Sequence, residues 1–515
     1  MKNLKLIYLF FALCVVISCS DDFVDVEPFD ENSENFFNSE EDYQRALTGA
    51  YDLLQATYLN VMLGEIASDN TLSGGESAVD VPGIQEIDDM VHTPLNAQLR
   101  DIWGWMYAGV NRSNYIMEFQ DKTDFPGKEG VLAQARFLRA YYYFELVKWF
   151  GDVPFAVDRR LQFGDQFSIP RTPKAEIYAQ MELDLIYAAD NLPYVQSQTG
   201  RVTKGAAEAL LGKVYLYQDK FTEAATVLEN LIAMGPHDLV ADYSTLFEND
   251  NENNIESVFE VQYTDEEGAG FGCLQCSEGN VAVGFNGIRN YSADPNSPGD
   301  IFESGFSFNV PTQEVVDEFE EGDNRLGTAI LDIVAWQELT GITYAIGFEH
   351  TGYFNRKYIS RKGDLNTGDA NLTNPNNYRA IRFADVLLMA AEALNRGGIS
   401  DARAQMYLNR VRERAFGNAD NNVTATGTAL TDAIYHERRV ELVGEGHRFF
   451  DLVRTGRAKT EIENNNGMDF IVNMAGETVR VHDSRTFEVG KHEVFPIPLI
   501  EIQLAGNQWE QNPGY

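Results

Sequence analysis

Three features of this sequence predict a mostly α-helical body built on tetratricopeptide-like hairpins. Apolar residues recur at steps of three and four along several long segments. Residues 205–238 carry the spacing of a helical repeat. Between residues 238 and 378 that pattern gives way to Gly, Asn, Asp and aromatics, marking one large irregular insert in a helical chain.

The first segment is an address. Lys2 and Lys5 precede the apolar run Leu6–Ile17, which has the length of a secretory core and is too short to span a bilayer. The run ends in Val16, Ile17, Ser18 and Cys19, which resembles a bacterial lipobox. Residues 1–18 are therefore expected to be a lipoprotein signal peptide and Cys19 the lipidated N-terminus, since several acyl chains anchor a protein stably without a spanning helix. Ser20, Asp21 and Asp22 look like an acidic signal for export to the outer face of the outer membrane. Residues 19–38, acidic and Asn-rich, read as a tether to a single body spanning 39–515.

Helical periodicity starts with Tyr43, Ala46, Leu47, Ala50, Leu53 and Leu54, and returns after a polar excursion at 68–99 through Trp103, Tyr107, Val110, Asn114 and Met117. Further helical segments span 131–150 and 174–192. In 205–238, Leu211, Gly212 and Tyr215 are followed by Ala224, Leu228 and Pro236 in tetratricopeptide register, with Glu208 where the repeat has Trp. Ala393, Ala402 and Met406 echo it. One repeat cannot bury its own faces, so helix pairs are expected at about 42–118, 131–192, 202–235 and 380–415, followed by a C-terminal motif region at 416–515.

The 515 residues carry 79 acidic and 40 basic side chains, a net charge of −39, which disfavours nucleic acid and a basic membrane-binding face. Of four cysteines, Cys14 leaves with the signal peptide and Cys19 takes the lipid, leaving Cys273 and Cys276. Their C-x-x-C spacing suits a redox site, half a zinc site or a small disulfide; in a Gly-rich segment of an exported chain the disulfide is favoured. No Walker A, G-x-S-x-G or Rossmann glycine pattern is present, and the His436–Glu437 pair has Val440 where a zinc helix needs a second His. Arg438, Arg439, Glu441, Arg448 and Asp451 read as a buried ion-pair network. The oxygen-bearing Asp364, Asn366 and Asp369 lack EF-hand order, so calcium is an option there and no cofactor is required.

The C-terminal third carries Arg382–Leu394 (RFADVLLMAAEAL), Leu408–Arg412 (LNRVR), His436–Leu442 (HERRVEL), Gly446–Leu452 (GHRFFDL), Phe495–Pro498 (FPIP) and Gln511–Tyr515 (QNPGY). With Gln134–Ala140 (QARFLRA), Phe150–Pro154 (FGDVP), the Trp103–Tyr107 pair and Asn111–Asn114 (NRSN), these blocks resemble the SusD-like (RagB/SusD) family across the mature chain. The resemblance implies a non-enzymatic, cell-surface lipoprotein of the outer membrane. It would bind oligosaccharide or polysaccharide through loops outside the repeats and serve a SusC-like TonB-dependent transporter in nutrient uptake. Peptide cargo and a surface glycoside hydrolase are the alternatives.

Sugar recognition needs flat apolar faces beside planar polar groups. Trp103, Trp105, Trp149 and Trp509 read as core. In the insert, Trp336 is the leading stacking platform, ahead of Tyr344, and Phe285–Asn286, Arg289–Asn290–Tyr291 and Tyr353 combine rings with hydrogen-bonding groups. The resemblance adds Asp69 and Asn70, because family members place the loop after the first helix near the ligand. This excursion contains no aromatic residue, which disfavours starch.

Overall fold

The computed structural model describes residues 36–515 apart from 267, 269, 364–370, 465–466 and 483–484. Cys19, the signal peptide, most of the tether and the Asp364, Asn366 and Asp369 group lie outside the described residues. The scaffold is helical, with α1 Glu40–Asp52, α2 Tyr58–Ile66, α3 Ala97–Glu118, α4 Lys128–Phe150, α5 Lys174–Asn191, α6 Lys204–Leu216, α7 Phe221–Met234, α8 Phe383–Arg396, α9 Asp401–Phe416 and α10 Gly427–Glu441. From α3 to α9 each helix packs on the next, including α7 on α8, which are separated in sequence by the whole insert. The repeat stack is thus continuous in space although interrupted in the chain, as a tetratricopeptide-like array requires.

Local chemistry fixes the ends. Ser39 caps α1 in a reciprocal box with Asp42. Just ahead of that cap Phe37 is fully buried, its ring stacked 5.2 Å from Phe119 and edge-on to Tyr43 and Tyr115. The packed body therefore includes Phe36 and Phe37, a correction to the tether boundary at 38. Helix α4 is buried on most sides, with Phe137, Tyr142, Tyr143, Trp149 and Phe150 in the core, which suits its place at the centre of the stack. The C-terminal tail, irregular by sequence, contains a short helix Leu499–Leu504 and clasps the end of α4. The amide of Phe495 donates to the Trp149 carbonyl, and Asn512 Nδ2 donates to that of Phe150.

Gly212 shows why the repeat needs a small residue. A Cβ there would lie 2.5 Å from Cδ2 and Cγ of Leu228 on α7. Gly212→Ala is expected to destabilise by about 1–3 kcal/mol through overpacking, read as a lower urea midpoint at unchanged slope; an unchanged midpoint would mean that the helix pair adjusts freely.

The insert adds short antiparallel strands. β1 Thr71–Gly74 pairs with β3 Phe308–Pro311, β2 Ser257–Val261 with β6 Tyr378–Arg382, and β4 Ile330–Asp332 with β5 Tyr353–Asn355. The excursion read as polar is partly interior: Ser68 to Ser73 are buried, and a short helix follows at Pro82–Asp88. β7 Met468–Ile471 and β8 Thr478–Val481 form an exposed hairpin.

Insert and scaffold are welded by buried ion pairs. Arg382, wholly buried, bonds Glu256, Glu441 and Glu445 at 2.5–2.8 Å, and Arg414 and Arg325 reach Glu441 from other sides. Arg438 bridges Asp385 and Asp451, while Arg454 holds Glu392. The family-like motif residues of the last third are therefore largely structural.

Candidate functional site

Four segments are laced by backbone hydrogen bonds into one layer at the surface of the insert. The Gly75 amide donates to the Ser307 carbonyl at 2.7 Å, and the Phe348 amide donates to that of Gly75 at 2.9 Å. The Arg289 amide donates to Ser307 Oγ at 2.8 Å, while the Ala345 amide donates to the Arg289 carbonyl at 2.8 Å. Segments 74–81, 287–292, 305–309 and 343–349 are thereby held side by side.

This layer concentrates backbone strain. Among the described residues ten non-glycine residues have positive φ, and five of them, Val81, Asn290, Ser307, Asn309 and Glu349, sit in the layer. The β-branched Val81 at φ 46° is the costliest type, and such strain persists where surrounding structure overrides it, commonly at ligand clamps.

The layer offers rings beside polar groups. Phe271 is 59% exposed, and its ring lies 5.8 Å from that of half-buried Phe306, with the planes at 57°. Phe285 and then Phe308 support Phe306 from behind. Arg289 donates to the Phe306 carbonyl at 2.9 Å and faces Asp80 at 3.3 Å and Glu76 at 3.5 Å, and Asn290 is exposed beside it. An apolar angle flanked by a guanidinium, two carboxylates and an amide suits a sugar, whose C–H faces stack while its hydroxyls hydrogen-bond.

At the inner side of the layer, half-buried Glu349 shares Ser73 with buried Asp88. Ser73 donates through its amide to Asp88 at 2.6 Å and through Oγ to Glu349 at 2.9 Å, and Arg485 reaches Asp88 at 3.1 Å. Burial pushes both carboxyls above their ordinary range. A raised carboxyl contributes stability that is lost as pH rises through its folded value. Glu349→Gln is therefore expected to raise the melting temperature more at pH 8 than at pH 5; an equal gain at both would contradict this account.

The structure separates the residues singled out by sequence. Arg289 and Asn290 stand in the layer, and Phe285, buried, supports it. Asp69 and Asn70 are corrected: both are buried, Asp69 bound by Arg448 at 2.7 Å and Arg439 at 3.0 Å, and Asn70 by Arg439 and Glu65, so neither is open to a ligand. Asn286, buried, accepts from Asn309. Tyr291 and Tyr344 are buried in a second small core, where Trp336, half-buried, packs near Phe302 and donates from its indole nitrogen to Tyr291 Oη at 3.0 Å. Trp336 is thus partly engaged in packing the insert, while its half-exposed ring stays a candidate face apart from the Phe271–Phe306 pair. Tyr353, half-buried, donates to Gln313 at 2.8 Å. Cys273 and Cys276 are joined by a disulfide. Among the described residues no group of three or more His, Cys, Asp or Glu is placed to hold a metal.

Sequence reasoning missed Phe271, Phe306, Glu76 and Asp80. The available signals were a ring between glycines at 270–272 and the alternation Gly305, Phe306, Ser307, Phe308. Elsewhere, a cleft of about 290 Å³ lies between Trp103, Tyr107, Leu161, Phe163 and Trp509. There Tyr107 Oη donates to the Pro154 carbonyl, Asn111 is satisfied by Leu161 on both sides, and the Trp509 indole donates to the Ile169 carbonyl, so these three polar groups are already engaged.

Comparison with known proteins places the whole chain. Residues 246–515 match the SusD family model, and residues 22–216 match a second model described as starch-binding and associating with the outer membrane. The SusD-like protein P2 of Formosa agariphila is 26% identical over the full length of both chains. A solved laminarin-binding SusD-like protein superposes with a TM-score of 0.80 at 35% identity, covering 93% of this chain and 100% of its own. Surface glycan-binding protein A from Bacteroides thetaiotaomicron, solved with laminarihexaose, superposes at 0.78 with 26% identity, covering 92% of this chain and 99% of its own.

Proposed function

The chain belongs to the SusD family, and from that premise we propose that it is a cell-surface lipoprotein which captures a laminarin-type β-1,3-glucan without cleaving it. It would pass the bound chain to a SusC-like TonB-dependent transporter in the outer membrane beneath it. The observation that carries this reading is the surface layer itself: exposed and half-exposed rings set at an angle beside Arg289, Asn290, Glu76 and Asp80, on strained backbone. The laminarin-binding and laminarihexaose-bound relatives support the choice of glucan. Lipidation at Cys19 supplies the anchor in this reading, and the motif acids and bases engaged in buried pairs support a binding role over catalysis.

Titration of the mature chain, without Cys19, with laminarihexaose, maltohexaose and a peptide mixture tests the reading. Binding to laminarihexaose alone, with no shorter sugars after prolonged incubation, is the expected result. Shorter products would replace the binding role with hydrolysis, and binding to peptides alone would replace the cargo.

A further inference from the structure

The segment 270–278 leads into a base where the Thr264 amide donates to the Glu278 carbonyl at 2.8 Å and Gln55 Nε2 donates to the Glu278 carboxylate at 2.8 Å. Its return limb is docked: Leu274 packs on the main core, and Ser277 Oγ donates to the Leu372 carbonyl. Its tip presents Phe271 between Gly270 and Gly272. Glycines on both sides leave the direction of a ring unspecified by its own backbone. A covalent constraint near it is the Cys273–Cys276 disulfide, two residues on.

A disulfide across a sequence separation of three closes too short a loop to do much for global stability, because closure entropy grows with loop length. Its effect is local, on the turn that follows Phe271. That turn also carries the Cys276 amide to the Cys273 carbonyl at 3.2 Å and the Cys273 amide to the Gly270 carbonyl at 3.3 Å. The disulfide therefore holds the segment that places the Phe271 ring against Phe306.

The angle between those rings has a chemical consequence. Two faces inclined at 57° cannot both lie flat on a straight ribbon such as a β-1,4-glucan. They can each meet a sugar of a chain that curves, as β-1,3-linked glucose does. We propose that the Cys273–Cys276 disulfide sets Phe271 at its tilt to Phe306, and that this bent pair selects a curved glucan over a flat one. The inference rests on the glycan-binding reading and adds to it the residues that set chain shape. Preorganisation is the mechanism: a ring fixed before binding pays no ordering entropy when the sugar arrives.

The test is calorimetric titration with laminarihexaose and cellohexaose of four species: wild type, Phe271→Ala, Phe271→Trp and the double variant Cys273→Ser/Cys276→Ser. Wild type is expected to prefer laminarihexaose. Phe271→Ala should weaken laminarihexaose roughly tenfold and cellohexaose little. The double variant should lose about fivefold, with its melting temperature within a degree or two of wild type. Phe271→Trp should restore binding. Reduction of wild type with dithiothreitol, which becomes a cyclic disulfide as the two thiols form, should copy the double variant, and reoxidation should reverse it. Wild type binding both hexaoses equally, or Phe271→Ala and the double variant keeping full preference, would overturn the inference while leaving glycan binding intact. Failure of wild type to bind laminarihexaose would overturn the proposed glucan and this inference with it.

Discussion

Arg382→Met is expected to destabilise the protein by about 3–5 kcal/mol, the largest effect of any single replacement considered. The guanidinium is wholly buried and hydrogen-bonds three carboxylates, those of Glu256, Glu441 and Glu445. Removing it strands negative charge in the interior, which costs more than the intact pairs contribute. Burial pushes the Glu441 carboxyl up, but the guanidinium groups of Arg414, Arg382 and Arg325 overcome this and hold it well below its ordinary 4.5. Glu445 is likewise held low, against burial, by Arg382 and Lys357. A depressed carboxyl contributes stability that is present above its unfolded value and lost as pH falls toward the folded one. Wild-type stability from this cluster should therefore decline below about pH 4.5, and the decline should be shallower in Arg382→Met. Denaturant melts at pH 7 and pH 4 measure both. Loss below 1 kcal/mol at pH 7 would mean that Arg414, Arg325 and Lys357 suffice without Arg382. Adding Glu445→Gln to Arg382→Met should recover part of the loss, because a coupled pair is not additive.

Phe306→Ala is expected to weaken laminarihexaose by about 2 kcal/mol, roughly thirtyfold, as the loss of an apolar face that the sugar covers. Its ring is half-buried between Phe271 in front and Phe285 behind. Trp336→Ala serves as the comparison. That residue packs in the second core of the insert, so its loss should lower the melting temperature more than it lowers affinity. The reverse outcome, with affinity falling in Trp336→Ala and holding in Phe306→Ala, would move the platform to the helix Ile333–Thr340.

The helical scaffold was legible because its signals are local. The stripe beginning at Tyr43 and the Gly212, Ala224 and Leu228 spacing report directly on which faces pack. The motif arginines were readable as an ion-pair network for a similar reason: Arg438, Arg439 and Glu441 share one helix, with Arg448 and Asp451 close behind in sequence. The candidate site was less legible. Arg289 and Asn290 were found, since polar groups next to rings are visible in sequence. Asp69 and Asn70 were misplaced because nothing local indicates that Arg448 and Arg439, more than 350 positions on, would enclose them. The packing share of Trp336 was not legible, because its helix forms a second core with strand partners that no periodicity reveals. Phe271 and Phe306 were missed for the complementary reason: they meet only through the fold, one on a Gly-rich loop and the other on a strained turn next to Ser307.

In the proposed reading the layer of segments 74–81, 287–292, 305–309 and 343–349, with the segment 270–278, receives the glucan. Hydrogen exchange of the mature chain with and without saturating laminarihexaose tests it most directly. Slowed exchange in those segments and little change along α3 to α9 is the expected result. Protection confined to the cleft between Trp103, Phe163 and Trp509, with the layer unaffected, would contradict it.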